Sequence, residues 1–202
     1  MTDQTTRQDL EERIGQIESM LLEGRRGTQR YGWTMVLWGT AYLIATAWSL
    51  WSNRPPLAWS VTMTAAVCLH IAIAKMKAKA KGGATSIAGR AMTALWASIG
   101  IALFIFSFSV SISGHWEIHS FMAGIEALLG AAYLASGIFL RFKLYLFLGI
   151  LWWAGAMTSC FVPLPQVGWI FLGLTVFLIG SGVYLMILES RGANAPQRAA
   201  HV

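Results

Sequence analysis

The stretch Val167–Leu188, VGWIFLGLTVFLIGSGVYLMIL, carries no charged residue and is the length of a bilayer. A helix rises about 1.5 Å per residue and needs about 20 apolar residues to cross ~30 Å of hydrocarbon. Runs of the same kind occupy residues 31–52, 57–76, 91–113, 118–140 and 144–162. Breakers separate them at Asn53-Arg54-Pro55-Pro56, Lys81-Gly82-Gly83, Ser113-Gly114 and Pro163-Leu164-Pro165. The expectation is an all-α membrane protein whose residues 31–188 form a six-transmembrane-helix bundle. Short connections make consecutive helices antiparallel neighbours.

The rest of the chain agrees. Of its 202 residues 56% are hydrophobic and 12% charged, and its mean hydropathy is +0.57, too apolar for a water-soluble domain of this size. The net charge of +6 does not point to nucleic acid, because the cations gather at the ends of apolar runs and not along one stripe. Arg25, Arg26 and Arg30 precede the first run, and Lys75, Lys77, Lys79, Lys81 and Arg90 join the second to the third. Arg141 and Lys143 join the fourth to the fifth, and Arg191 and Arg198 follow the sixth; the alternate connections hold only Arg54. The positive-inside rule then puts both termini in the cytoplasm and the protein in a bacterial inner membrane, with the lipid bilayer as its main partner. Residues 1–30 are too polar for a signal peptide, so the N-terminus is expected to be retained, the first run acting as signal anchor. Trp48, Trp51, Trp59, Trp116 and Trp169 fall at outer ends of spans and Trp33 and Trp96 near inner ends, as interfacial belts require; Trp38, Trp152 and Trp153 lie deeper, between helices. Cys68 and Cys160 read as packing residues, since they lie in different apolar segments.

Ala135-Ser-Gly-Ile-Phe-Leu140 recurs as Gly180-Ser-Gly-Val-Tyr-Leu185, an offset of 45 residues from Gly137 to Gly182. That is about one helical hairpin, and it predicts three tandem hairpins in parallel repetition.

Residues 1–30 read as a cytosolic segment, an acidic amphipathic helix followed by a basic juxtamembrane stretch. Thr5 and Gln8 have capping-box spacing, and Leu10, Ile14, Ile17 and Leu21 make a short heptad seam. Within residues 1–24 six acidic groups face only Arg7 and Arg13. An anionic leaflet repels such a helix, so the expected contact is a cytosolic protein or a second copy of the chain. Residues 189–202 read as a disordered cytosolic tail.

Ionisable groups inside spans are costly and mark candidate sites. Between Gly24 and Leu188 the only carboxylates are Glu117 and Glu126. Glu126 lies inside the fourth span, on one face with His119, Ala123, Gly130, Tyr133 and Gly137. This face is either a proton- or cation-responsive carboxylate, with Tyr133, or a hydrogen-bonded Glu cementing helices. His70 in the second span reads as a packed or hydrogen-bonded histidine. His115 and His119, at i, i+4, have the spacing of two metal ligands, but a helix would turn Glu117 away from them and no third ligand is evident. Lys75, Lys77, Lys79 and Lys81 read as a loop that signals topology or meets anionic lipid head groups.

Catalytic signatures are missing. Leu134 and Ile179 stand where the Gly-x-Ser-Gly motif of intramembrane serine proteases needs glycine, and no phosphate-binding loop or dinucleotide fingerprint occurs. No enzymatic activity, cofactor or nucleic-acid partner is therefore expected.

Three presumed hairpins, with spans ending in Ser-Gly-aliphatic-aromatic-Leu, resemble the HdeD-like class of small bacterial six-helix proteins. The segment from Ile17-Glu-Ser-Met20 through Arg30 into Trp33 resembles bacterial membrane proteins with a short cytosolic helix before six spans. Some of those are encoded beside winged-helix regulators, so the resemblance implies a regulatory, stress-related or accessory role. It carries over no functional residue, and the Gly-Pro punctuation of HdeD-like hairpins is reduced here to Pro163 and Pro165. The competing expectation is a small-solute or ion transporter using Glu126.

Overall fold

The computed structural model describes residues 14–15, 32–52, 55–80, 87–113 and 117–199. Beside the helical pair Ile14 and Gly15 these form α1 Gly32–Ser52, α2 Pro55–Ala80, α3 Ile87–Ser113, α4 Ile118–Phe139, α5 Lys143–Ser159 and α6 Leu164–Ala199. No strand occurs among the described residues. Ile14 is exposed; Leu10, Ile17, Leu21 and the rest of the N-terminal segment, with Lys81, His115 and Trp116, lie outside the described residues.

Four stretches, Leu57–Lys77, Gly89–Val110, Ile118–Phe139 and Leu164–Arg191, are long and apolar enough to cross a membrane. The other two helices differ for separate reasons. α1 has the length, but four tryptophans, three threonines and two glycines dilute its aliphatic content. α5 has 17 residues, about 25 Å of helix, which is short of the hydrocarbon thickness.

Two boundaries differ from the sequence reading. The lysine-rich segment is not a loop: α2 runs to Ala80, so Lys75, Lys77 and Lys79 belong to its last turns. Alanine, lysine and methionine are strong helix formers, and cations at a helix C-terminus meet the negative end of its dipole. The last helix does not stop at Leu188 but continues to Ala199, so the backbone of residues 189–199 is helical where a disordered tail was expected.

The turn from α4 to α5 is tight. Phe142 N–H reaches Gly137 O at 2.9 Å and Arg141 N–H reaches Ile138 O at 3.3 Å, the paired bonds of a Schellman ending. That ending requires a left-handed residue, and Arg141 fills the position with φ of 49°.

α4 and α5 pack together most extensively, followed by α1 with α6 and α1 with α2; α6 also meets α5 and α4, and α3 rests chiefly on α4. The two most extensive pairings are one motif used twice. A Cβ on Gly137 or Gly149 would strike the backbone of Leu146 or Leu134, and one on Gly182 or Gly39 would strike the side chain of Val36 or Ile179. Gly137 to Gly182 and Leu134 to Ile179 are both steps of 45 residues, while Val36 to Leu146 and Gly39 to Gly149 are both steps of 110. The recurring Ser-Gly pair therefore marks equivalent close approaches, with α1 standing to α6 as α5 stands to α4.

All six helices meet in one aromatic cluster. Phe171 of α6 takes Tyr42 (5.8 Å between ring centroids), Trp59 (5.7 Å) and Trp152 (5.8 Å) edge-on, and Trp59 meets Phe121, which stacks on Phe106 of α3. Such contacts add about 0.5–1.5 kcal/mol each beyond area burial. Trp59, expected at an interface, thus joins the core, whereas Trp153 is half exposed and lies across Gly130 with its indole N–H donating to Ala127 O at 3.1 Å. Antiparallel packing gathers Lys75, Lys77, Lys79, Arg90, Arg141, Lys143 and Arg191 at one end of the bundle; α4 begins and α5 ends at the other.

Candidate functional site

α4 buries Phe121, Met122, Ile125, Leu129, Ala132 and Ser136 on one broad face, and Glu126, Gly130, Tyr133 and Gly137 lie within it. Glu126 is 0% exposed. Across from it, Trp152, Gly155 and Ser159 recur at i, i+3 and i+7, one face of α5, and all three are buried. Gly155 lies beside the carboxyl: a Cβ there would sit at ordinary contact distance, 3.7 Å, from Glu126 Cδ, but would press on Leu174 of α6 at 2.5 Å. The Ser159 hydroxyl faces the carboxyl. Yet both Glu126 oxygens, Ser159 Oγ and Trp152 Nε1 are buried without a completed hydrogen bond.

Buried polar atoms are normally paired, and leaving one unpaired costs about 1–3 kcal/mol. Here two carboxyl oxygens and the hydroxyl that faces them share one place between α4 and α5, and the indole N–H of Trp152 on the same face of α5 is unpaired as well. The carboxyl can hold a proton there.

The other candidates are not brought to Glu126. Tyr133, two turns along α4, packs edge-on against Trp96 at 4.9 Å and Tyr145 at 5.7 Å. His70 accepts from Trp38 Nε1 at its Nδ1, 3.3 Å away, so the neutral ring carries its proton on Nε2. Its ring centroid lies 5.2 Å from Trp33 and 6.1 Å from Trp38.

Glu117 does not turn away from the histidine face. It is the N-cap of α4, with extended backbone (φ −108°, ψ 110°), and its side chain folds back over the helix start. Oε2 accepts from Ser120 N–H at 2.7 Å, while Oε1 accepts from His119 N–H at 3.2 Å and lies 2.9 Å from His119 Nδ1. Hydrogen bonds from the Ser120 hydroxyl and backbone, and more weakly from His119, push this carboxyl down to about 2. The error in the sequence reading was to place residue 117 on the helix, whereas the cap residue sits before it.

His119 Nε2 lies 3.0 Å from Val162 O. An acceptor thus lies within hydrogen-bond reach of each ring nitrogen. No three His, Cys, Asp or Glu side chains converge among the described residues, and His115 lies outside them. Lys75 and Lys79 share one face of α2 and Lys77 points elsewhere, so the lysines do not form a single patch.

Sequence reasoning found Glu126 but missed Gly155 and Ser159 as its neighbours. Their spacing of four residues on one face of α5 was the available signal. Comparison of the chain with known protein families, with characterised proteins and with solved structures gave no match.

Proposed function

We propose that this chain is a non-enzymatic, multi-pass protein of the bacterial inner membrane, crossing it six times with both termini cytoplasmic. Its role is regulatory, stress-related or accessory, and it acts by protein contact through the N-terminal helix seam Leu10, Ile14, Ile17 and Leu21. The observation that carries this reading is the enclosure of Glu126: this carboxyl, in the middle of the candidate span Ile118–Phe139, is 0% exposed and packed against α5, as in a closed platform. The repeated α4–α5 and α1–α6 pairing supports a tandem-hairpin bundle in which α1 and α5 cross beside the four helices that are both long and apolar enough to span. The cations collected at one end support the orientation.

The test is reconstitution of the full chain in proteoliposomes, alongside affinity purification with and without residues 1–24. The expected result is no solute flux, together with a co-purifying protein, or a second copy, that is lost on the deletion. A reporter fused after Val202 is expected to be active only in the cytoplasm.

A second reading, a small-solute or ion transporter, is favoured by the unpaired atoms at Glu126, Ser159 and Trp152. Flux that disappears in Glu126→Gln would replace the first reading by this one.

A further inference from the structure

The cation-rich end of the bundle holds a recess of about 190 Å³ between α1, α2 and α6, lined by Trp33, Lys77, Met186, Glu189 and Ser190. Lys77 is held in place there: its Nζ lies 4.8 Å from the centroid of the Trp33 ring. His70, two turns back along the same face of α2, packs on that ring as well. The wall carries a cation and a carboxylate that do not pair, since the one ion pair within 4 Å among the described residues is Glu117 with His119. The Ser190 hydroxyl donates to Ile187 O at 2.8 Å, which leaves its oxygen to accept.

A cation on one side and two acceptors on the other call for a ligand of the opposite arrangement, an anion joined by a short link to a hydrogen-bond-donating cation. We propose that this recess binds the phosphoethanolamine headgroup of a glycerophospholipid, its phosphate on Lys77 and its primary ammonium on Glu189 and Ser190. The proposal rests on the membrane reading, which sets this end of the bundle at headgroup depth, where tryptophan is favoured. Purely anionic headgroups meet Glu189 unfavourably. A choline headgroup has no N–H for Glu189, and the Trp33 ring that would attract it already carries Lys77 and His70. Lys75 and Lys79, on the opposite face of α2, take no part.

The full chain in detergent, offered equal amounts of phosphatidylethanolamine, phosphatidylcholine and phosphatidylglycerol, is read by mass spectrometry of the intact complex. The ethanolamine lipid is expected to be retained about tenfold over the other two, the scale of one charge-assisted contact. Lys77→Ala should remove most of that retention, and Lys77→Arg should restore it. Glu189→Gln should erase the preference over phosphatidylglycerol, and Lys75→Ala should change nothing. Equal retention of the three lipids, or a preference that survives both Lys77→Ala and Glu189→Gln, overturns the site. Displacement by millimolar soluble phosphoethanolamine overturns the lipid as source. A chain that stays dissolved without detergent contradicts the membrane reading itself, whatever the headgroup result.

Discussion

His119 Nε2 lies 3.0 Å from the carbonyl oxygen of Val162, so the first turn of α4 is tied to the α5–α6 connection across 43 residues of chain. His119→Phe keeps a flat ring but removes both polar contacts. The expected loss is about 1 kcal/mol, the net worth of an ordinary hydrogen bond. Hydrogen exchange at Cys160, Phe161 and Val162 should quicken while amides past the first turn of α4 keep their protection. Unchanged exchange at those three amides would show that the tether does not hold.

Glu117 gives a pH dependence with a definite sign. Its carboxyl moves from an ordinary 4.5 to about 2 on folding, through hydrogen bonds led by Ser120. The depressed value means that its contribution to α4 is complete above pH 4.5 and is lost as the pH falls through about 2. A carbon-13 titration of Glu117 should give a midpoint near the lower value, and Ser120→Ala should raise it. A midpoint near 4.5 in the unmodified chain would mean that the cap does not form.

Glu126 should limit stability. Its oxygens are buried and unpaired, so Glu126→Leu, which fills the same space with methyl groups, is expected to stabilise the fold by about 1–3 kcal/mol. Ser159→Ala should cost little, because its hydroxyl has no partner to lose. Reversible unfolding in detergent measures both. A loss of about 3–5 kcal/mol in Glu126→Leu would instead reveal a buried charge network around the carboxyl.

Glycines at the helix crossings should behave unlike the open ones. A Cβ on Gly182 would come within 2.7 Å of Gly32 O, whereas one on Gly173 meets nothing within 4 Å. Gly182→Ala is expected to cost about 1–3 kcal/mol by forcing α1 from α6. Gly173→Ala should gain about 0.5–1 kcal/mol from helix propensity alone. Equal effects at the two positions would mean that α1 and α6 do not touch at Gly182.

Arg141 sits at φ of 49°, where a side chain is strained. Arg141→Gly should relieve about 1 kcal/mol of that strain, visible as a higher unfolding midpoint in detergent. No gain would argue that the α4–α5 turn takes another form.

Helix class and most boundaries were legible in the residues because a charge-free run of bilayer length leaves its backbone no partners in hydrocarbon except its own carbonyls. Breakers such as Pro55 and Pro163 then place the ends. The lysines after Ile73 misled the reading, since charge was taken as loop although lysine and alanine extend a helix readily. The recurrence of Ser136-Gly137 at Ser181-Gly182 was visible as letters, but that it marks two equivalent helix crossings was not.

The order of residues is thus enough for the one-dimensional part: apolar helices, the spacing of cations between them, and an acid at position 126 within a span. Which faces meet is settled only when the helices pack. α5 is apolar on nearly every side, so periodicity could not say that Gly155 and Ser159 would turn toward Glu126, or that Trp59 would turn inward while Trp153 stayed half exposed. In such helices hydrophobicity no longer distinguishes inside from outside, and the choice passes to side-chain size and fit, which exist only once the neighbouring helix is in place.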